Sequence, residues 1–340
     1  MTTAAGVVDS ALLGLRAGDL VEVRSAEEIR ATLDERGELD GLPFMPEMLA
    51  FCGRRMTVHK VAHKVCDYIG LSGMRRMHDA VHLTQSRCDG SAHAGCQNAC
   101  SLYWKEHWLK RVDDAGPDDA APAGASPDAG RRELLPLLVA NSREEPFEDG
   151  ETRWSCQGTE MLRAAPEKLP LREVGQFRED VASGNASVRA VVLAFLIGLF
   201  NRYQNHTRGR LPRFLLIRRG LRWGFLEGGV VAGRTPTEIL DLQPGELVRI
   251  KSRDEIMATL DANLLNRGMG FDAEMARFCG RTARVKARAT RLVDERSGRM
   301  LTMKNPCIIL EDIVCEGVFT ANCPREYTCW WREIWLERVG

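Results

Sequence analysis

The feature that most constrains this chain is an internal repeat: residues 18–112 recur as residues 245–339 at a constant offset of 227, without a gap. Phe51-Cys52-Gly53-Arg54 meets Phe278-Cys279-Gly280-Arg281, and Ala31-Thr32-Leu33-Asp34 meets Ala258-Thr259-Leu260-Asp261. Cys88, Cys96, Trp104 and Trp108 meet Cys315, Cys323, Trp331 and Trp335. Matches over rare residue types at one offset mark a duplicated structural unit.

Each copy opens with a turn and a short alternating strand, Leu20–Val23 and Leu247–Ile250. A capping box follows, Ser25 with Glu28 and Ser252 with Glu255, which predicts a helix of two to three turns. Strand patterns then return over 55–65, 81–87, 281–293 and 307–314. The expected fold class is α+β: two homologous small SH3-like β modules, 17–112 and 244–340, flank a mainly helical middle region, 131–243. Residues 113–130 are almost entirely Ala, Gly, Pro and Asp, a composition that builds no core and reads as a flexible acidic linker. In the middle region helices are predicted over 171–182 and 187–204. The second is apolar on most faces and is expected to be central.

Composition narrows the function. The 340 residues carry 47 basic and 47 acidic side chains, so a global basic excess of the chromatin kind is excluded. A chain this long folds without disulfides, so its 11 cysteines need another reason. The start of the chain lacks the basic region of a secretory signal, and the apolar run 188–200 is short for a membrane span and contains Arg189. These readings predict a cytoplasmic protein with reduced thiols and no membrane partner.

Three cysteines per module keep the spacing C-x35-C-x7-C: Cys52, Cys88, Cys96 and Cys279, Cys315, Cys323. Clustered thiolates hold zinc or iron–sulfur clusters. Cys100 and Cys307 are the expected fourth ligands, with Cys66 and Cys329 as alternatives, while Cys66 and Cys156 otherwise read as core-filling residues. No C-x2-C knuckle occurs, and Cys323-Pro324 and Pro306-Cys307 place proline beside cysteine as ferredoxin loops do. The expected cofactors are therefore two [4Fe–4S] clusters, with zinc as the alternative.

Six of the seven histidines lie in the first module and none in the second. His59, His63 and His82 are the expected acid–base groups, His82 because six residues on one strand would put it on the face of Cys88. From Arg202 to Arg222 there are seven arginines and no acid, a run that reads as a solvated face or as a contact to phosphate or nucleic acid. The tryptophans near each module's end stand four apart and are expected in the core.

The wording of 87–100 (RCDGSAHAGCQNAC), 103–112 (YWKEHWLKRV), 240–256 and 323–339 resembles an uncharacterised family of bacterial hypothetical proteins with two tandem cysteine-rich modules, often encoded near biosynthetic gene clusters. The resemblance covers both modules and the middle region. It implies a bacterial cytoplasmic protein and names no substrate. Where the family reads Pro-Tyr-Trp this chain has Cys329-Trp330-Trp331, which favours Cys307 over Cys329 as a ligand. Two functions are expected from these signs. One is a metalloenzyme of secondary metabolism acting on a small molecule, with an electron-donor protein as partner. The other is a zinc-stapled tandem module that grips protein or nucleic acid.

Overall fold

The computed structural model describes residues 12–112, 128–144 and 150–339. Two five-stranded antiparallel sheets dominate it, and the chain is α+β. The first sheet holds β1 (Leu20–Val23), β2 (Arg55–Val61), β3 (Ala80–Arg87), β4 (Ser101–Lys105) and β5 (Leu109–Arg111), in the order β4-β3-β2-β1-β5. The second holds β6 (Leu247–Ile250), β7 (Thr282–Val293), β8 (Met300–Val314), β9 (Thr328–Trp331) and β10 (Leu336–Arg338), in the corresponding order β9-β8-β7-β6-β10. Registers correspond as well: Val21 faces Met56 and Arg111, while Val248 faces Ala283 and Arg338.

Local causes repeat with the sequence. The two capping boxes form around α1 (Ala26–Arg30) and its counterpart Arg253–Met257, each five residues and so shorter than the sequence predicts. Inside each module an aromatic cluster closes the sheet. Phe44 packs edge-on to Trp108 at 5.1 Å between ring centres, and Phe271 packs against Trp335 at 5.6 Å. Trp104, Trp108, Trp331 and Trp335 are fully buried. Each of the later pair of indoles donates to an equivalent threonine, Trp108 to Thr32 Oγ1 and Trp335 to Thr259 Oγ1.

Of the proposed linker, 113–127 lie outside the described residues, and Asp128 already begins α2 (Asp128–Asn141). The predicted helix over 171–182 shortens to α3 (Gly175–Ala182), and the next is α4 (Val188–Thr207). The chain divides into two compact units, one of 1–187 with 291–301 and the other of 188–290 with 302–340. The middle region is thus shared between two units rather than forming one of its own. The expectation that α4 is central is corrected: Val191, Ala194 and Ile197 are buried, but Val192, Leu196, Leu199 and Tyr203 are exposed. An apolar sequence gives a moment too weak to say which face is covered, and here only one is.

The copies differ where strand 2 ends. β7 runs unbroken for 12 residues, whereas β2 stops at Val61 and the chain resumes as Lys64–Asp67. Asn185 takes both backbone groups of Val61, at 2.8 and 2.7 Å, where the strand ends opposite Val81. Asp180 of α3 lies 2.6 Å from Lys64 Nζ and 3.2 Å from His63 Nε2, all three fully or almost fully buried. A buried charge survives only when paired, so this ion cluster holds the interrupted strand in place.

Candidate metal centre

The loop from Cys88 to Cys100 is a closed turn whose backbone the sequence dictates. Cys88 N donates to Cys100 O at 2.9 Å, and His93 and Gly95 both donate to Gly90 O at 3.0 Å. Gly90 has φ +72, and a Cβ there would sit 1.9 Å from Cys96 O, so only glycine fits. The second copy repeats the turn: Cys315 N donates to Tyr327 O, and Thr320 and Asn322 donate to Gly317 O. Left-handed residues recur at Gly90 and Gly317, Ala94 and Ala321, Ala99 and Glu326.

In the first module this turn faces three other segments. Glu47, on the 3-10 turn Pro46–Phe51, accepts from His93 Nδ1 at 3.0 Å and lies 3.6 Å from Cys88 Sγ. Glu47, Cys88 and His93 are the one set of three histidine, cysteine or acidic ligand atoms among the described residues that all lie within 4.8 Å of one another. Cys156 comes from the middle region, and Val293 N–H donates to Cys96 Sγ at 3.3 Å from the 291–301 segment of the same unit. Cys88, Cys96, Cys100 and Cys156 line one cavity of about 30 Å³, with Asn98 and Glu295 also on its wall. That volume has room for one or two waters or a single ion.

The electrostatics are those of a site short of positive charge. Burial pushes the Cys88 thiol far up, and Glu47, Cys100 and Cys156 push it further. Burial takes Cys156 to about 11 and raises Cys96. Burial also raises the Glu47 carboxyl, but the hydrogen bond and charge of His93 outweigh it and hold the group below its usual range. His93 Nε2 lies 3.0 Å from Ser155 O, so each ring nitrogen lies beside an oxygen acceptor. Glu47 Oε2 and Asn98 Oδ1 are buried with no hydrogen-bond partner. Buried unpaired acceptors are costly, and a cation beside them removes the cost.

The remaining predicted residues lie elsewhere. Cys52 and Cys279 each follow the 3-10 turn of their module, and the charged side chains that bear on them are Arg131 and Arg253. Neither Cys52 nor Cys279 is among the residues lining the thiol cavity or in the Glu47–Cys88–His93 set. Cys307 sits 3.7 Å from Met303 Sδ, near Arg332, and Cys66 is buried on the strand Lys64–Asp67. In the second module burial raises the Cys315 and Cys329 thiols, and the charges of Asp272 and Glu274 raise them further.

The histidines also part company. His59 is exposed and His63 buried, since a bulge between Val58 and Lys60 breaks the alternation that would have paired them. A second bulge, with Gln85 at φ +54, separates His82 from Cys88 and removes their shared face. His82 Nδ1 lies 2.9 Å from Leu102 O and its ring sits 4.3 Å from that of Tyr103. His63 instead borders a separate cavity of about 330 Å³, with Arg16, Arg76, Asp79, Glu106 and Glu179 around it.

Sequence reasoning missed Cys156, Glu47 and His93 as site residues. Only Glu47 left a usable sign, its repetition as Glu274 at the same offset. Cys156 has no counterpart, so nothing in the spacing points to it. No protein-family model, no curated protein and no solved structure matches the chain.

Proposed function

We propose that the chain is a tandem of two SH3-like modules descended from one duplicated unit, and that the first is a binding module stapled by a single thiolate-bound divalent ion of the zinc type. Cys88, Cys96, Cys100 and Cys156, which line the cavity without three of their sulfurs lying within 4.8 Å of one another, would draw together on the ion as its ligands, and Glu47 with His93 braces the loop beside them. The observation that carries this reading is one ion-sized cavity lined by four thiols from two distant segments, beside the Glu47–Cys88–His93 trio whose ligand atoms lie within 4.8 Å of one another and whose second carboxylate oxygen lacks a donor.

The same observation favours one ion over an eight-atom [4Fe–4S] cluster, for which about 30 Å³ is too small. It also favours a structural over a catalytic centre. A cavity of about 30 Å³ leaves no room for a substrate beside an ion. A closed four-thiolate site stabilises the fold outright. Among the described residues no cysteine is joined in a disulfide, which suits the reducing cytoplasm of a bacterium.

A small-molecule reading has a separate foothold in the 330 Å³ cavity beside His63, whose size falls in the usual range for ligand sites. It does not involve the thiols.

The test is elemental analysis of protein purified without oxygen. One zinc per chain, lost in Cys156→Ala, is the expected result. Brown protein absorbing near ~400 nm with stoichiometric iron and sulfide would return the cluster reading. Unchanged metal content in Cys156→Ala would remove that residue from the site.

A further inference from the structure

Outside the thiol site, the most unusual surface begins at α4. From Val181 to Leu226 the chain carries eight arginines and not one acidic residue, although its overall charge balances. The same stretch exposes large apolar side chains. On α4, Val188, Val192, Leu196, Leu199 and Tyr203 are all exposed, and their spacing of three and four places them on one stripe opposite the buried Val191, Ala194 and Ile197. In the following loop Phe214 is 84% exposed, with Leu215 and Ile217 more than half exposed beside it.

This loop is fixed to the helix, so its exposure belongs to the fold. Asn201 Nδ2 donates to Trp223 O at 2.9 Å, and Trp223 N donates back to Asn201 Oδ1 at 2.8 Å. Gln204 Nε2 donates to Ile217 O at 2.6 Å, and Phe200 packs edge-on to Trp223. Helix and loop form one surface within one unit.

We propose that this surface, the outer stripe of α4 together with the loop 211–226, docks on an anionic lipid bilayer, lying in the headgroup interface without crossing it. Charge complementarity selects the occupant. Arg202, Arg208, Arg210, Arg218 and Arg219 are exposed, and a surface of phosphate headgroups supplies the acid the segment itself lacks. Burial depresses Arg222, and the nearby Arg208 charge adds to it. Apolar and cationic groups on one face are what interfacial binding needs: rings and aliphatic chains enter the acyl boundary while guanidinium groups stay at the phosphates. No helix of the described residues is long and apolar enough to cross a membrane, so α4 would lie flat.

Nucleic acid fits the same arginines less well. It has no use for exposed Leu, Ile and Val, and two of the rings that could stack on bases, Trp223 and Phe225, are already covered by arginines. Arg218 lies 4.5 Å over Trp223 and Arg222 lies 3.6 Å over Phe225. A second copy of the chain would bring the same unpaired positive charge against itself. The inference departs from the expectation of no membrane partner and stands independently of the metal site.

The test is flotation of the full chain with vesicles of phosphatidylcholine alone and of phosphatidylcholine with a third phosphatidylglycerol. Binding to the anionic vesicles alone is expected, falling steeply as salt shortens the Debye length from about 10 Å toward 3 Å. Arg218→Glu with Arg219→Glu should weaken binding by about tenfold or more. Val192→Ser with Leu196→Ser should weaken it without changing the salt slope. Circular dichroism and metal content, matching wild type, would show that these variants fold. No vesicle binding overturns the proposal, whether light scattering finds a dimer split by Leu196→Ser or a gel shift finds bound nucleic acid. Equal binding to neutral vesicles overturns the role given to the arginines.

Discussion

The two modules share strand order, register, capping boxes and the conformation of their cysteine loops, yet they balance the same buried carboxylate in different ways. Glu47 and Glu274 occupy equivalent positions, and each accepts from an equivalent backbone N–H, Ala92 at 3.4 Å and Phe319 at 2.7 Å. In the second module Arg277 comes within 3.3 Å of the other Glu274 oxygen and also pairs with Glu316. In the first module Ala50 stands where Arg277 does, and Glu47 Oε2 has no partner. His93 becomes Thr320 and Cys100 becomes Tyr327 in the second copy. One copy thus carries its own cation on a side chain. The other places an acid, an imidazole and four thiols around one small cavity, the site proposed above for an external cation. Identical backbones allow either answer, because the loop's turn depends on glycine and left-handed residues and not on what balances its charge.

The sharpest break in that comparison is the pair Cys88→Ala and Cys315→Ala. Losing a ligand uncouples metal binding from folding, so Cys88→Ala should destabilise the first module by several kcal/mol and abolish its metal content. Cys315→Ala should cost only a small cavity, about 1 kcal/mol, with metal content unchanged. Calorimetry with elemental analysis distinguishes them, and equal losses would mean that both modules are metal-stapled.

Removing the side-chain cation comes next. Arg277→Ala leaves Glu274 buried and unpaired, at a cost of about 1–3 kcal/mol to the second module. A denaturant titration would show it, and no change would mean that Phe319 N–H alone suffices. The reciprocal variant, Ala50→Arg, carries the second module's solution into the first. A guanidinium beside Glu47 should oppose the ion and weaken its binding about tenfold, or ~1.4 kcal/mol, in a chelator competition. Undiminished affinity would separate Glu47 from the metal site.

The smallest effect concerns the strand that only the first module interrupts. Asp67 accepts from Gly70 N, from Ser72 Oγ at 2.6 Å and from Arg75 Nε at 3.1 Å. Burial alone would raise it, but these donors outweigh burial and hold its carboxyl at about 2. A depressed folded value gives stability that is present above the unfolded value near 3.9 and disappears as pH falls toward 2. Acid titration of wild type against Asp67→Asn should show a difference on the order of 1 kcal/mol at pH near 5, vanishing at pH near 2. A pH-independent difference would make the loop's contacts steric rather than ionic.

Much of this molecule is legible in its sequence wherever neighbours along the chain decide the outcome. The capping boxes, the alternating strands, the glycine-dependent turn at Gly90 and the buried tryptophans all follow from spacing over a few residues, and the duplication doubles each sign. The site was legible in half: Cys88, Cys96 and Cys100 belong to one short loop, and sequence places them together. What tertiary structure alone decided is which distant groups join them. Cys156 arrives from the middle region, Glu47 from a turn forty residues upstream, and Val293 from the far hairpin, while Cys52, equally well placed in the repeat, stays away. Two bulges turn His59 and His82 out of the faces that a period of two assigns them, and α4 shows its apolar stripe to the outside. Local periodicity fixes where a side chain points relative to its neighbours in the chain. Which surface it then meets depends on packing between segments far apart in sequence, and no spacing records that.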